Sequence, residues 1–65
     1  MEGRMVFGLD GWPVGIAQQM NKADLEILTT DGETKWLRRD AIFDSDARSI
    51  TLICYANGFE RWLSE

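Results

Sequence analysis

The sequence predicts an all-β fold, a small and strongly bent antiparallel barrel of five or six strands with one short C-terminal helical turn. Three observations carry this expectation. Turn signals recur roughly every ten residues, at Asp10-Gly11, Asn21-Lys22, Asp31-Gly32, Asp44-Ser45-Asp46 and Asn57-Gly58. Asp-Gly and Asn-Gly steps tolerate the positive φ of tight hairpins. The stretches between them are short and alternate in polarity, which is the period of a strand. A chain of 65 residues has room for a single domain, 1-65, whose core is thin, since a domain of this size buries only about 60% of the surface its unfolded chain exposes.

Met5-Val6-Phe7 reads as the first strand. Val14 to Met20 is the second, with Val14, Ile16, Gln18 and Met20 on one face and the small Gly15 and Ala17 on the other, where they permit a close approach or a bend. Asp24 to Thr30 is the third, with Leu25 and Ile27 facing one way and Glu26 and Leu28 the other. Thr34 to Arg38 is the fourth, with Lys35 and Leu37 opposite Trp36 and Arg38. Asp40-Ala41-Ile42-Phe43 reads as a single helical turn. Ser49 to Tyr55 is the closing strand, and its Thr51-Ile53-Tyr55 face is nearly as apolar as its Ile50-Leu52-Cys54 face, as in a strand covered on both sides. At the C-terminus, Asn57 caps a short helix with Glu60 as its capping-box partner, or Asn57-Gly58 turns a sixth strand. Phe59, Trp62 and Leu63 at i, i+3 and i+4 favour the helix.

Composition narrows the function classes. Hydrophobic residues at 45% and charged residues at 28% are a globular balance. Without histidine there is no Ser-His-Asp or Cys-His chemistry and no imidazole metal ligand. One cysteine makes neither an internal disulfide nor a structural zinc site. Eleven acids against seven bases give a net charge of −4, which disfavours nucleic acid as a partner because phosphate binding needs excess Lys and Arg. The longest apolar run, Leu52 to Ala56, is far shorter than the ~20 residues of a membrane span. Met1 to Gly8 has no apolar signal core, and a lone thiol suits a reducing compartment, so a cytoplasmic location is expected.

The stretch Asp10-Gly11-Trp12-Pro13-Val14-Gly15-Ile16, followed by Leu25-Glu26-Ile27, then Trp36-Leu37-Arg38-Arg39-Asp40-Ala41-Ile42 and Ser49-Ile50-Thr51-Leu52, is similar to PRC-barrel domains over residues 5-53. Where that family often carries proline after its aromatic–aliphatic pair, this chain has Arg38. The resemblance implies a bent β-barrel of five or six strands that serves as a binding or docking module, as in the photosynthetic reaction-centre H subunit and the ribosome-maturation factor. It implies no common catalytic site.

Trp12, beside Pro13, is either an exposed anchor for a partner or a lid folded over a barrel end. Trp36 with Arg38 and Arg39 is either a half-core tryptophan beside solvated arginines or a site that stacks a base or grips a carboxylate. Phe59, Trp62 and Leu63 either plug the open barrel end or form an apolar interface. Asp40, Asp44 and Asp46, with Asp31 and Glu33, lack the glycine and terminal glutamate of a calcium loop and read as solvated turn residues. Cys54, in phase with Ile50 and Leu52, reads as a buried thiol.

The reading that follows is a non-catalytic protein-interaction module with no cofactor, metal or small-molecule substrate, whose partner is another protein or a second copy of itself. Trp12, Trp36, Arg38, Arg39, Phe59 and Trp62 are its candidate contact residues. Two alternatives are a small acidic inhibitor or decoy of the kind phages encode, occupying a basic groove on another protein, and a nucleic-acid-binding small barrel using Trp36, Arg38 and Arg39.

Overall fold

A computed structural model describes residues 3–64. Its strands are β1 (Arg4–Phe7), β2 (Pro13–Met20), β3 (Asp24–Thr29), β4 (Thr34–Arg38), β5 (Ile42–Ser45) and β6 (Ser49–Leu52), with 3-10 helices at Arg39–Ala41 and Ala56–Trp62. The strands form one mixed sheet in the order β4-β3-β2-β1-β6-β5, bent into a half-barrel. This is the small bent β architecture that the turn rhythm and alternation predict. In the Asp10-Gly11 and Asp31-Gly32 turns the glycines take φ of +86° and +93°.

One pairing departs from the expected antiparallel scheme, since β1 and β6 run parallel. The cause lies between β4 and β5. The pairs β1·β2, β2·β3 and β3·β4 are antiparallel, as is β5·β6, so β4 and β5 must point the same way. The 3-10 turn at Arg39–Ala41 therefore bends the chain without reversing it. It is shorter than the helical turn expected at Asp40 to Phe43, and Ile42 and Phe43 open β5, a strand the alternation does not foretell. Asp44 and Ser45 belong to that strand, and the turn begins only at Asp46.

Alternation sets the core. Val6, Leu25, Ile27, Leu37, Ile50 and Leu52 are the largest fully buried side chains, all from strands. In β2 the inner face is not the one the sequence favours. Ala17 and Gly15 are buried, while Ile16 and Gln18 are exposed. Two register shifts explain this. One lets Val14 bulge inward between Pro13 and Gly15, and the other skips Gln18 between Ala17 and Gln19. A bulge displaces the alternation by one residue and bends the strand.

The closing strand is also shorter than expected. It stops at Leu52, and Ile53 to Tyr55 leave the sheet. The helical alternative holds at the C-terminus, although the residue ahead of the helix is Tyr55 and no side chain caps it, so the Asn57–Glu60 capping box does not form. Phe59, Trp62 and Leu63 pack on the core. Leu63 bridges Leu37 antiparallel, and the Ser64 N–H donates to the Trp36 carbonyl at 2.8 Å, which covers the β4 edge. The β5 edge is interrupted by a bulge at Phe43, a common way to discourage edge-to-edge pairing.

Two turn carboxylates carry acid sensitivity. Asp46 Oδ1 accepts the Arg48 and Ser49 N–H groups, each at 2.8 Å, and these bonds hold its pKa below the usual 3.8. Asp31 is held low chiefly by the Thr29 hydroxyl. A carboxylate with a depressed folded pKa adds stability above its unfolded value, and that stability is lost as pH falls through the folded pKa. The urea midpoint is therefore expected to decline on acidification below about pH 4. Asp46→Asn should flatten that decline, and an unchanged acid profile in this variant would contradict the assignment.

Candidate docking surface

The β1–β2 loop must cross the barrel end close to the chain leaving β6. Gly8 makes this approach feasible: a Cβ there would lie 2.3 Å from the Ala56 backbone nitrogen. The Leu9 N–H donates to the Cys54 carbonyl at 2.8 Å. Asp10 Oδ1 accepts the Trp12 N–H at 3.4 Å and the Ala56 N–H at 3.3 Å. The loop closes on itself as well, with the Gly8 N–H on the Trp12 carbonyl at 2.8 Å and the Gly11 N–H on the Gly8 carbonyl at 2.9 Å. Two segments distant in sequence thus become one hydrogen-bonded platform.

That platform carries four of the seven large apolar side chains exposed among the described residues. They are Trp12 at 68%, Tyr55 at 60%, Leu9 at 49% and Ile53 at 38% exposure. Leu9, Trp12 and Tyr55 belong to the two segments that these hydrogen bonds join, and Ile53, whose N–H donates to the Ala41 carbonyl at 2.7 Å, precedes Cys54 in the chain. Exposed apolar side chains on adjoining segments of a small domain mark an interaction site more often than scattered ones do. A hydrogen-bonded backbone beneath such side chains lowers the ordering cost of binding.

Beside the platform, Cys54, Tyr55, Asn57, Gly58, Arg61 and Trp62 line an open groove of about 450 Å³. Cys54 is half-buried, and burial pushes its thiol pKa up, so the sulfur stays protonated. The Arg38 guanidinium lies 5.0 Å from the centroid of the Trp62 ring, within cation–π range.

The candidates named from sequence fall in different places. Trp12 is exposed on the platform and is not buried as a lid on the core. Trp36 is half-buried on the outer face of β4, opposite Glu26. Arg38 belongs with Trp62, and Arg39 is turned away: its Nη1 donates to the Asn21 carbonyl at 3.2 Å and its N–H to the Ala23 carbonyl at 2.9 Å. Trp36, Arg38 and Arg39 therefore do not converge on one gripping site. Phe59 and Trp62 pack against the core as part of the plug, and the edge of Trp62 still reaches the groove. Asp44 caps the Ser45 N–H at 2.9 Å, and no group of three or more metal-ligating side chains forms among the described residues.

Leu9, Ile53 and Tyr55 are additions that sequence reasoning missed. The pairing of Gly8 with Asp10 ahead of Trp12 is the local signal of a crowded loop, but its partner at Ala56 is 46 positions away from Asp10. No helix among the described residues is long and apolar enough to cross a membrane. Comparison with family models, with curated proteins and with solved structures returns no significant match.

Proposed function

We propose that this chain is a non-catalytic docking module that binds another protein through the Leu9–Trp12–Ile53–Tyr55 platform. The observation that carries the proposal is the exposure of these four side chains on a backbone braced by Asp10 and by the Leu9–Cys54 hydrogen bond. Tryptophan and tyrosine are the residues most often found as interface anchors, since they add large contact area at small rotamer cost. The likeness of residues 5-53 to PRC-barrel domains enters as part of the same proposal, because those domains serve as binding modules. The cytoplasm is the compartment that suits it, keeping Cys54 reduced.

The test is capture from an extract of the source cells by the immobilised chain. A protein retained by the wild type and by Phe43→Ala should be lost at least tenfold with Trp12→Ala/Tyr55→Ala. Phe43 is the matched control, an aromatic 66% exposed on β5, outside the Gly8–Trp12 loop and the Cys54–Ala56 segment that the loop's hydrogen bonds join. Both platform rings are exposed, so the double variant should melt close to the wild type. Equal capture by all three proteins would refute the proposal.

A second copy of the chain is a further partner, favoured by one observation. The cross-strand row Ser49–Met5–Ile16–Leu28–Thr34 runs over the outer face of five strands without an ionisable side chain. Outer faces of antiparallel sheets are ordinarily polar. Sedimentation should show a dimer mass that Ile16→Lys returns to the monomer, and a monomer at all concentrations would remove this reading.

A further inference from the structure

We infer that the groove between Tyr55 and Trp62 takes an extended acidic peptide segment of the partner, with an apolar side chain against the two rings and a carboxylate on Arg61. The inference rests on the docking proposal and deepens it by naming the chemistry of the bound segment.

The charge distribution points to an acidic occupant. The whole chain carries −4, yet among the described residues Arg61 is the only ionised side chain lining the groove, since burial keeps the Cys54 thiol protonated. A second guanidinium, Arg38, sits on the Trp62 ring. The nearby acids are directed elsewhere. Glu60 lines a depression on the other side of the 3-10 helix, with Pro13 and Lys35. The Asp10 charge helps raise the Cys54 thiol pKa, and its carboxylate accepts the Trp12 and Ala56 N–H groups. An arginine fork with no acid among the described residues that line its groove matches a carboxylate in charge and geometry.

The shape points to an extended segment. The depression is broad and open to solvent, and a side chain at Gly58 would meet nothing within 4 Å. Asn57 offers an amide donor and acceptor to a passing backbone. Grooves walled by aromatic rings suit extended, proline-containing segments, which lose little entropy on binding. Single-stranded nucleic acid also joins negative charge to flat rings, but it needs a cationic track along its backbone, and the groove wall supplies one guanidinium.

The test uses three blocked octapeptides that share a Leu-Pro centre and differ in their flanks, which are glutamate, glutamine or lysine. Binding is followed by amide and indole NMR shifts at low ionic strength. The glutamate peptide should saturate, shift Tyr55, Gly58 and Trp62, and bind about tenfold or more tightly than the glutamine peptide. The lysine peptide should bind weakest, and added salt should weaken the glutamate complex. Arg61 is exposed, so Arg61→Glu should fold normally and invert the order, favouring lysine. Equal affinity for the three peptides, a wild-type preference for lysine, or saturating shifts elsewhere would overturn the inference. Tighter binding of a ten-nucleotide oligothymidine than of the glutamate peptide would overturn it too. Partner capture that survives Arg61→Glu but not Trp12→Ala/Tyr55→Ala would sink the groove inference and leave the docking proposal standing.

Discussion

Gly15→Ala is expected to abolish folding or leave a chain that unfolds in low urea. A Cβ at this position would lie 2.2 Å from the Leu28 carbonyl oxygen and 2.9 Å from both the Leu28 carbonyl carbon and the Thr29 Cα. All three are backbone atoms of β3, so no side-chain rotation relieves the clash. Gly15 is also where β2 bends, next to the bulged Val14 and paired with both Val6 and Thr29. Pushing β3 away there opens the sheet across Ile27 and Val6, the middle of the core. Overpacking in a tight interior costs about 1–3 kcal/mol and sometimes more. A domain this small has only about 3–5 kcal/mol to lose. Gly58→Ala is the control, since a Cβ there meets nothing within 4 Å, and its urea midpoint should match or slightly exceed the wild type. Equal midpoints for Gly15→Ala and Gly58→Ala would show that the close β2–β3 approach is not what bends the barrel.

Gly8→Ala should have the second-largest effect, and it links stability to the proposed docking surface. The added methyl would sit 2.3 Å from the Ala56 nitrogen, 2.9 Å from its Cα and 2.7 Å from Asp10 Oδ1. The strain falls on the contact between the β1–β2 loop and the start of the C-terminal 3-10 helix. Relief requires the two segments to separate, which breaks the Leu9–Cys54 and Asp10–Ala56 hydrogen bonds. We expect a loss of about 2 kcal/mol or more in urea unfolding, with faster amide exchange at Leu9 and Ala56. Partner affinity should fall even at temperatures where the variant stays folded, because Trp12 and Tyr55 no longer share one platform. A variant with wild-type exchange at both amides would contradict this.

The fold was legible where local pattern and tertiary environment agree. The range of β4 follows from its sequence alone, and that of β3 does to within one residue. Leu25, Ile27 and Leu37 face inward as alternation requires. It was misread where the backbone breaks its own period. Two bulges in β2 put the small residues inside and Ile16 outside. Bulges have no composition signal beyond Gly15, and that glycine was read as a site of close approach. The strand β5 was hidden because Asp44-Ser45-Asp46 has turn composition, while the real change of direction is a 3-10 bend that does not reverse the chain.

The candidate docking surface was half legible for the same reason. Trp12 beside Pro13 announces itself as a turn tryptophan. Ile53 and Tyr55 look like the second face of a covered strand, because nothing in the local alternation marks the end of β6 pairing at Leu52. Only the three-dimensional approach of Gly8 to Ala56 brings their segment against the loop that carries Trp12.

Where a partner touches the chain decides whether the platform is a docking surface. The most direct measurement is an NMR footprint of the captured partner on the labelled protein. Shifts and line broadening are predicted at Leu9, Trp12, Ile53 and Tyr55 and at the adjoining Gly58 and Arg61. A footprint confined to the Met5–Ile16–Leu28 row or to Phe43, with the platform signals unmoved, would contradict the claim that this end of the barrel is the docking surface.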